Sequence, residues 1–163
     1  MDSAARSAFA SSHPSRAGID YPLDAVQRDP LPISPGLQEA LNRLGDEFLA
    51  GFYEAETERH PGNLDALAEL GQVHTRLGHY DRGLTVDRQL VRLVPDNPTA
   101  HYNLACSLAR LERAVEALDS LERAVELGFA DAEFMQSDED LASLRAEERF
   151  RSLVRLIGER ATA

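Results

Sequence analysis

The chain has 163 residues, of which 43% are apolar, enough for one domain with a buried core. A formal net charge of -11 leaves no basic footprint for phosphates, which excludes nucleic acid as an expected partner and favours a basic peptide or protein surface. One cysteine, Cys106, cannot form an intrachain disulfide, and no run reaches the roughly 20 apolar residues that cross a bilayer, so no membrane partner is expected.

The N-terminus, MDSAARSAFASSHPSRAGID, has no positive leader and no apolar stretch behind it, so a secretory signal is not expected and the reading is cytoplasmic. Every cationic side chain is arginine and lysine is absent, a pattern read as GC-rich coding of bacterial origin. Residues 1–33 are rich in Ser, Ala, Arg and Pro; Pro14, Pro22, Pro30 and Pro32 block regular structure there. This segment is expected to be a disordered or loosely docked tail. Its best docking piece is IDYPLDAV, with Ile19, Tyr21, Leu23 and Val26.

Order is expected from Ser34, a helix N-cap with Pro35 at the first helical position. Leu37, Leu41, Leu44, Phe48 and Phe52 then form one apolar helical stripe. Gly45 is expected to divide this stretch into two helices, and His60-Pro61-Gly62 to end it. From there to about Arg160 the pattern is helical, and no run alternates as a strand does.

Sliding the chain by 34 residues superposes Asn63 on Asn97, Leu70 on Leu104, Gly71 on Ala105, Leu77 on Leu111 and Gly83 on Ala117, with Pro61 on Pro95. The chain thus resembles the tetratricopeptide repeat family, whose unit is a helix–turn–helix of 34 residues. Small residues (Gly71, Gly83, Ala105, Ala117, Ala124) stand where the helices of a unit would cross. The resemblance implies an all-α solenoid of antiparallel helix hairpins. Its units are 64–97 and 98–131, with an N-terminal helix or truncated repeat at 34–60, in which Arg43-Leu44-Gly45 echoes Arg76-Leu77-Gly78. His74, Asp87 and His101 depart from the family pattern, each standing where a larger or aromatic residue is usual. Residues 132–160, with DEDLASLR and EERF after ELGF, resemble a recurrent ending of bacterial arrays and are expected to be capping helices. Phe129, Phe134, Leu141, Leu144, Phe150, Leu153 and Leu156 would cover the open end.

Motifs for chemistry are missing. There is no phosphate-binding glycine loop, no cysteine pair, no HExxH and no calcium loop, so no cofactor, metal or catalytic residue is expected. His101 with Cys106 lacks an orienting third group, and Cys106 reads as a packing residue. His74 and His79, five apart, do not share a helical face.

The resemblance implies a non-catalytic adaptor or scaffold that binds a protein or peptide segment on the concave face. The family's inward positions fall on Asp65, Glu69, Gln72 and Arg76 of the first full unit. In the second they fall on Thr99, Tyr102, Asn103, Cys106 and Arg110. Tyr102 is expected to be an exposed anchor and Asn103 to pair with a ligand backbone, while Asp65 and Glu69 repel carboxylates and favour basic segments. Two rivals stand beside this reading: a structural protein that self-assembles into a homo-oligomer, and a small acidic chaperone for secretion or assembly.

Overall fold

The computed structural model describes residues 33–161. The expected tail, 1–33, lies outside the described residues except for Ile33. The described part consists of helices and turns: α1 (Pro35–Arg59), α2 (Leu64–Arg76), α3 (Tyr80–Leu93), α4 (Pro98–Arg110), α5 (Ala114–Glu126), α6 (Ala132–Ser137), a 3-10 segment (Glu139–Leu144) and α7 (Glu148–Ala161). No strand occurs among the described residues. The architecture is an all-α solenoid of tetratricopeptide type.

Local chemistry sets the period. The side chains of Asn63, Asn97 and Asp131, each 34 residues after the last, accept the orphan backbone N–H of Ala66, Ala100 and Phe134. First helices accordingly begin at Leu64, Pro98 and Ala132, and second helices at Tyr80, Ala114 and Glu148, again at intervals of 34. Between paired helices the chain turns through a left-handed residue, Gly78 at φ 75° in the first unit and Glu112 at φ 59° in the second. Gly128, the glycine of ELGF, also has positive φ, as a left-handed helix C-cap requires.

The pairs pack as the small residues dictate. At Gly71 a Cβ would sit 2.7 Å from the Asp87 carboxylate, and at Gly83 it would sit 3.2 Å from Ser107 Oγ. Ala105, Ala117, Ala124 and Leu121 are fully buried in the main core, which α3, α4 and α5 share with the C-terminal helices. A smaller cluster of Leu67, Leu90 and Ala100 joins the two central units.

Two expectations need correction. Gly45 does not divide the first stretch: α1 is one helix of 25 residues. The reason lies in the register. Thirty-four residues before Gly78 stands Leu44, a good helix former with a Cβ penalty in the left-handed region, and Gly45 falls one place late. Second, the residues chosen to close the far end do so unevenly. Leu141, Leu144, Phe150 and Leu153 are buried, but Phe134 and Leu156 stay exposed while Met135 and Ile157 fill the core. The segment also keeps the repeat's period. α6 and the 3-10 segment together span 132–144, matching α4 at 98–110, and α7 matches α5. It therefore has the layout of a third unit whose first helix breaks at Asp138.

Candidate interaction surface

Residues four, seven and eleven positions apart share one helix face. Asp65, Glu69, Gln72 and Arg76 therefore form a line along α2, and all four are exposed. Arg76 Nη2 lies 2.8 Å from the Asp46 carboxylate of α1, so its charge is partly spent inside the array. On α4 the corresponding line is Thr99, Asn103, Cys106 and Arg110, with Tyr102 beside it. α2 and α4 touch one another directly, and the two lines occupy the same positions of the repeat.

The α4 line is not open along its length. Thr99 is exposed and Asn103 half-buried. Tyr102, expected as an exposed anchor, is only 3% accessible, and Cys106 is 8% accessible. The broken first helix of the third unit covers both. Phe129 stacks on the Tyr102 ring at 4.4 Å between centroids, and the Phe134 ring lies tilted against it at 5.6 Å. The Tyr102 hydroxyl donates to Asp138 Oδ2 at 2.8 Å, and the Cys106 thiol lies 3.7 Å from the same oxygen. Asp138 also accepts from the backbone N–H of Asp140 at 3.0 Å, capping the 3-10 segment. Tyr102 thus anchors this chain's own next unit. An aromatic in an inward position cannot be told, by position alone, from one that the following unit needs.

Arg110 closes this end. Its guanidinium lies over the Tyr80 ring at 4.7 Å, donates to the Tyr80 hydroxyl, and comes within 3.7 Å of Asp140. Burial, then the neighbouring Asp138 charge, raises the Asp140 carboxyl above its ordinary range. Burial is likewise the chief cause that pushes the Cys106 thiol well up, with Asp138 and Asp140 adding to it. That is the reverse of what nucleophilic thiols need. His101 is also committed elsewhere, with Nε2 2.9 Å from the Pro95 carbonyl.

Cys106, Asp138 and Asp140 bring possible ligand atoms within 4.8 Å of one another. Asp138 already accepts hydrogen bonds from the Tyr102 hydroxyl and from the Asp140 backbone N–H.

Two buried polar residues escaped sequence reasoning. Asp87, 2% accessible, accepts a 2.5 Å hydrogen bond from the Ser107 hydroxyl across the interface between units. Burial pushes its carboxyl up from 3.8 to about 6, the Ser107 hydrogen bond opposing the shift. His74 is buried with Nδ1 lacking a partner and Nε2 3.5 Å from Glu54 of α1; burial lowers its pKa. Although five residues from His74, His79 comes back to within 5.9 Å of it because the turn at Gly78 reverses the chain. The signal for both was present as departures from the family pattern, but only packing shows what fills those places.

No protein-family model and no curated protein sequence matches this chain. Solved structures do. Residues 41 to the end of MamA from Desulfovibrio magneticus RS-1 match with a TM-score of 0.59 at 16% identity, over 78% of this chain and 75% of that one. A MamA crystal structure matches with a TM-score of 0.54 at 17% identity, over 81% of this chain and 87% of that one. An ArsTM double mutant of the RS-1 protein gives 0.56 at 18% identity, covering 77% and 73%. At such identities the shared property is the fold, a helical solenoid of tetratricopeptide type.

Proposed function

We infer that this protein is a non-catalytic interaction module that receives a protein or peptide segment along the inner face of α2 and the near edge of α4. The observation carrying this reading is the exposed polar line Asp65, Glu69 and Gln72, continued by Thr99 and Asn103 and stopped by the Tyr102–Asp138 contact. Arrays of this kind stack their units to make extended recognition surfaces. Two carboxylates on α2, Asp138 and Asp140 at the far edge, and the net charge of -11 favour segments bearing Arg or Lys. The Asn103 amide supplies both a donor and an acceptor for a peptide backbone. Catalysis has no support in the site, where the one thiol is buried with a raised pKa and the nearest histidine on its helix bonds a backbone carbonyl.

The test is co-purification from host cells with the wild-type protein, followed by affinity measurements on the recovered partner. Asp65→Arg with Glu69→Arg, and separately Asn103→Ala, should each weaken binding by about 1 kcal/mol or more. Glu126→Arg on the outer helix α5 should leave it unchanged. Binding should weaken as salt rises. Equal affinities for all variants would place the contact elsewhere.

A further inference from the structure

In both full units the first helix folds back on the second through a left-handed residue, Gly78 or Glu112. The equivalent point in α1 is Leu44, and the helix runs straight through it. Residues 35–45, which the register would fold over 46–59, are all exposed instead. An apolar stripe of α1 is left at the surface. Leu41 is 47% exposed, Leu44 61%, Phe48 73% and Phe52 56%.

This stripe is complementary to itself. Leu37, Leu41, Leu44 and Phe48 follow the 4-3-4 spacing of a coiled-coil seam. Set two such helices antiparallel about a two-fold axis between Leu44 and Gly45. Leu41 then meets Phe48 of the second copy, Leu37 meets Phe52, and each Leu44 faces a Gly45, where open space surrounds the missing Cβ. Beside the seam lie Gln38, Ala40, Gly45 and Glu47, of which one is charged. Two strongly acidic chains can thus meet on a face nearly free of charge.

We propose that two copies of this chain associate through antiparallel pairing of the exposed stripes of their α1 helices. The interface is isologous and closes at two copies. The stripe spans about 22 Å at 1.5 Å per residue, small for a specific interface, so the association is a weak one. Since both copies are acidic, added salt tightens the dimer, opposite to its effect on a basic partner in the α2 groove.

The test is sedimentation equilibrium of the full chain across the micromolar range, at low and high salt. Wild type should pass from monomer to dimer mass with concentration, and at lower concentration in high salt. Leu41→Ser with Phe48→Ser should weaken association at least tenfold while leaving the melting of the dilute protein unchanged, since both residues are exposed. Leu44→Cys, next to the axis, should give a disulfide-linked dimer on mild oxidation; wild type should not, its Cys106 being buried. Monomeric wild type at every concentration overturns the proposal and leaves the stripe to another occupant, residues 1–32 of this chain or a different protein. A dimer indifferent to the double substitution overturns it as well. Failure of Leu44→Cys to cross-link within a confirmed dimer overturns the antiparallel pairing.

Discussion

The two ends of the array meet the same physical problem with opposite results. Each terminal unit departs from a hairpin of two straight helices, and each departure occurs within its first half. At the N-terminal end the turn is missing, so the helix continues outward and carries Leu41, Leu44, Phe48 and Phe52 into solvent. At the C-terminal end a break is added at Asp138, so the first helix bends onto α4 and buries Met135, Leu141 and Leu144. A terminal unit in a solenoid must either cover the last apolar face or leave it for something else. Here one end covers and the other leaves open, and the difference turns on single positions: a leucine where a left-handed residue was needed, and an aspartate that caps a new turn while binding Tyr102.

Four experiments would break or sharpen this contrast. Deleting residues 131–163 removes the covering end and exposes Leu118, Leu121 and Val125, all now buried. In an array this short, stability is close to a sum of neighbouring interfaces, so cooperative thermal unfolding followed by circular dichroism should disappear. A cooperative melt from the truncated chain would contradict the assigned role.

The same substitution at both ends makes the comparison direct. Leu141→Ala, at a fully buried site, should cost about 2–5 kcal/mol. Leu41→Ala should change the stability of the dilute protein by no more than about 0.5 kcal/mol. Urea denaturation of both variants measures the difference, and equal costs would mean that α1 is as well packed as the far end.

Between the ends, Asp87 gives the central units a pH dependence. Its carboxyl titrates at about 6 in the folded chain against 3.8 ordinarily, so the folded state binds the proton more tightly than the unfolded state. Its contribution is fully present below about pH 4 and is lost as pH rises through 6, up to about 3 kcal/mol at 1.4 kcal/mol per unit. Asn at this position keeps an acceptor for the Ser107 hydroxyl and carries no charge. Asp87→Asn should therefore stabilise the protein at pH 7.5 while leaving it little changed at pH 4, as read from urea midpoints. An unchanged midpoint at pH 7.5 would mean that the carboxylate is compensated in the fold.

The smallest effect concerns the turn that α1 lacks. Glu112 occupies the left-handed position where the preceding unit has Gly78. Glu112→Gly should raise stability by about 0.5–1 kcal/mol, the relief of Cβ strain exceeding glycine's entropy in the unfolded chain. A loss of stability would show that the Glu112 side chain contributes more than its strain costs.

The repeat period, the helical class and the small residues at helix crossings were legible in the sequence. Each depends on local chemistry or short-range pattern: Asn63, Asn97 and Asp131 cap helices wherever they stand, and Gly71 or Ala117 marks a close approach by its size alone. The N-terminal stripe was equally legible as a stripe. What surrounds it was not, because Gly45 and Leu44 compete for one turn position and the outcome depends on a single residue of register. Tyr102 shows the same limit. Its place on α4 is set by the 34-residue period, but whether it faces a ligand or the chain itself depends on Asp138, 36 residues away, and on where the third unit breaks. Burial of Asp87 against Ser107 likewise joins residues 20 apart through the packing of two units. Sequence determined the elements and their spacing, because these arise within a few residues. Tertiary structure decided which faces remain open, because that depends on which distant segment arrives to cover them.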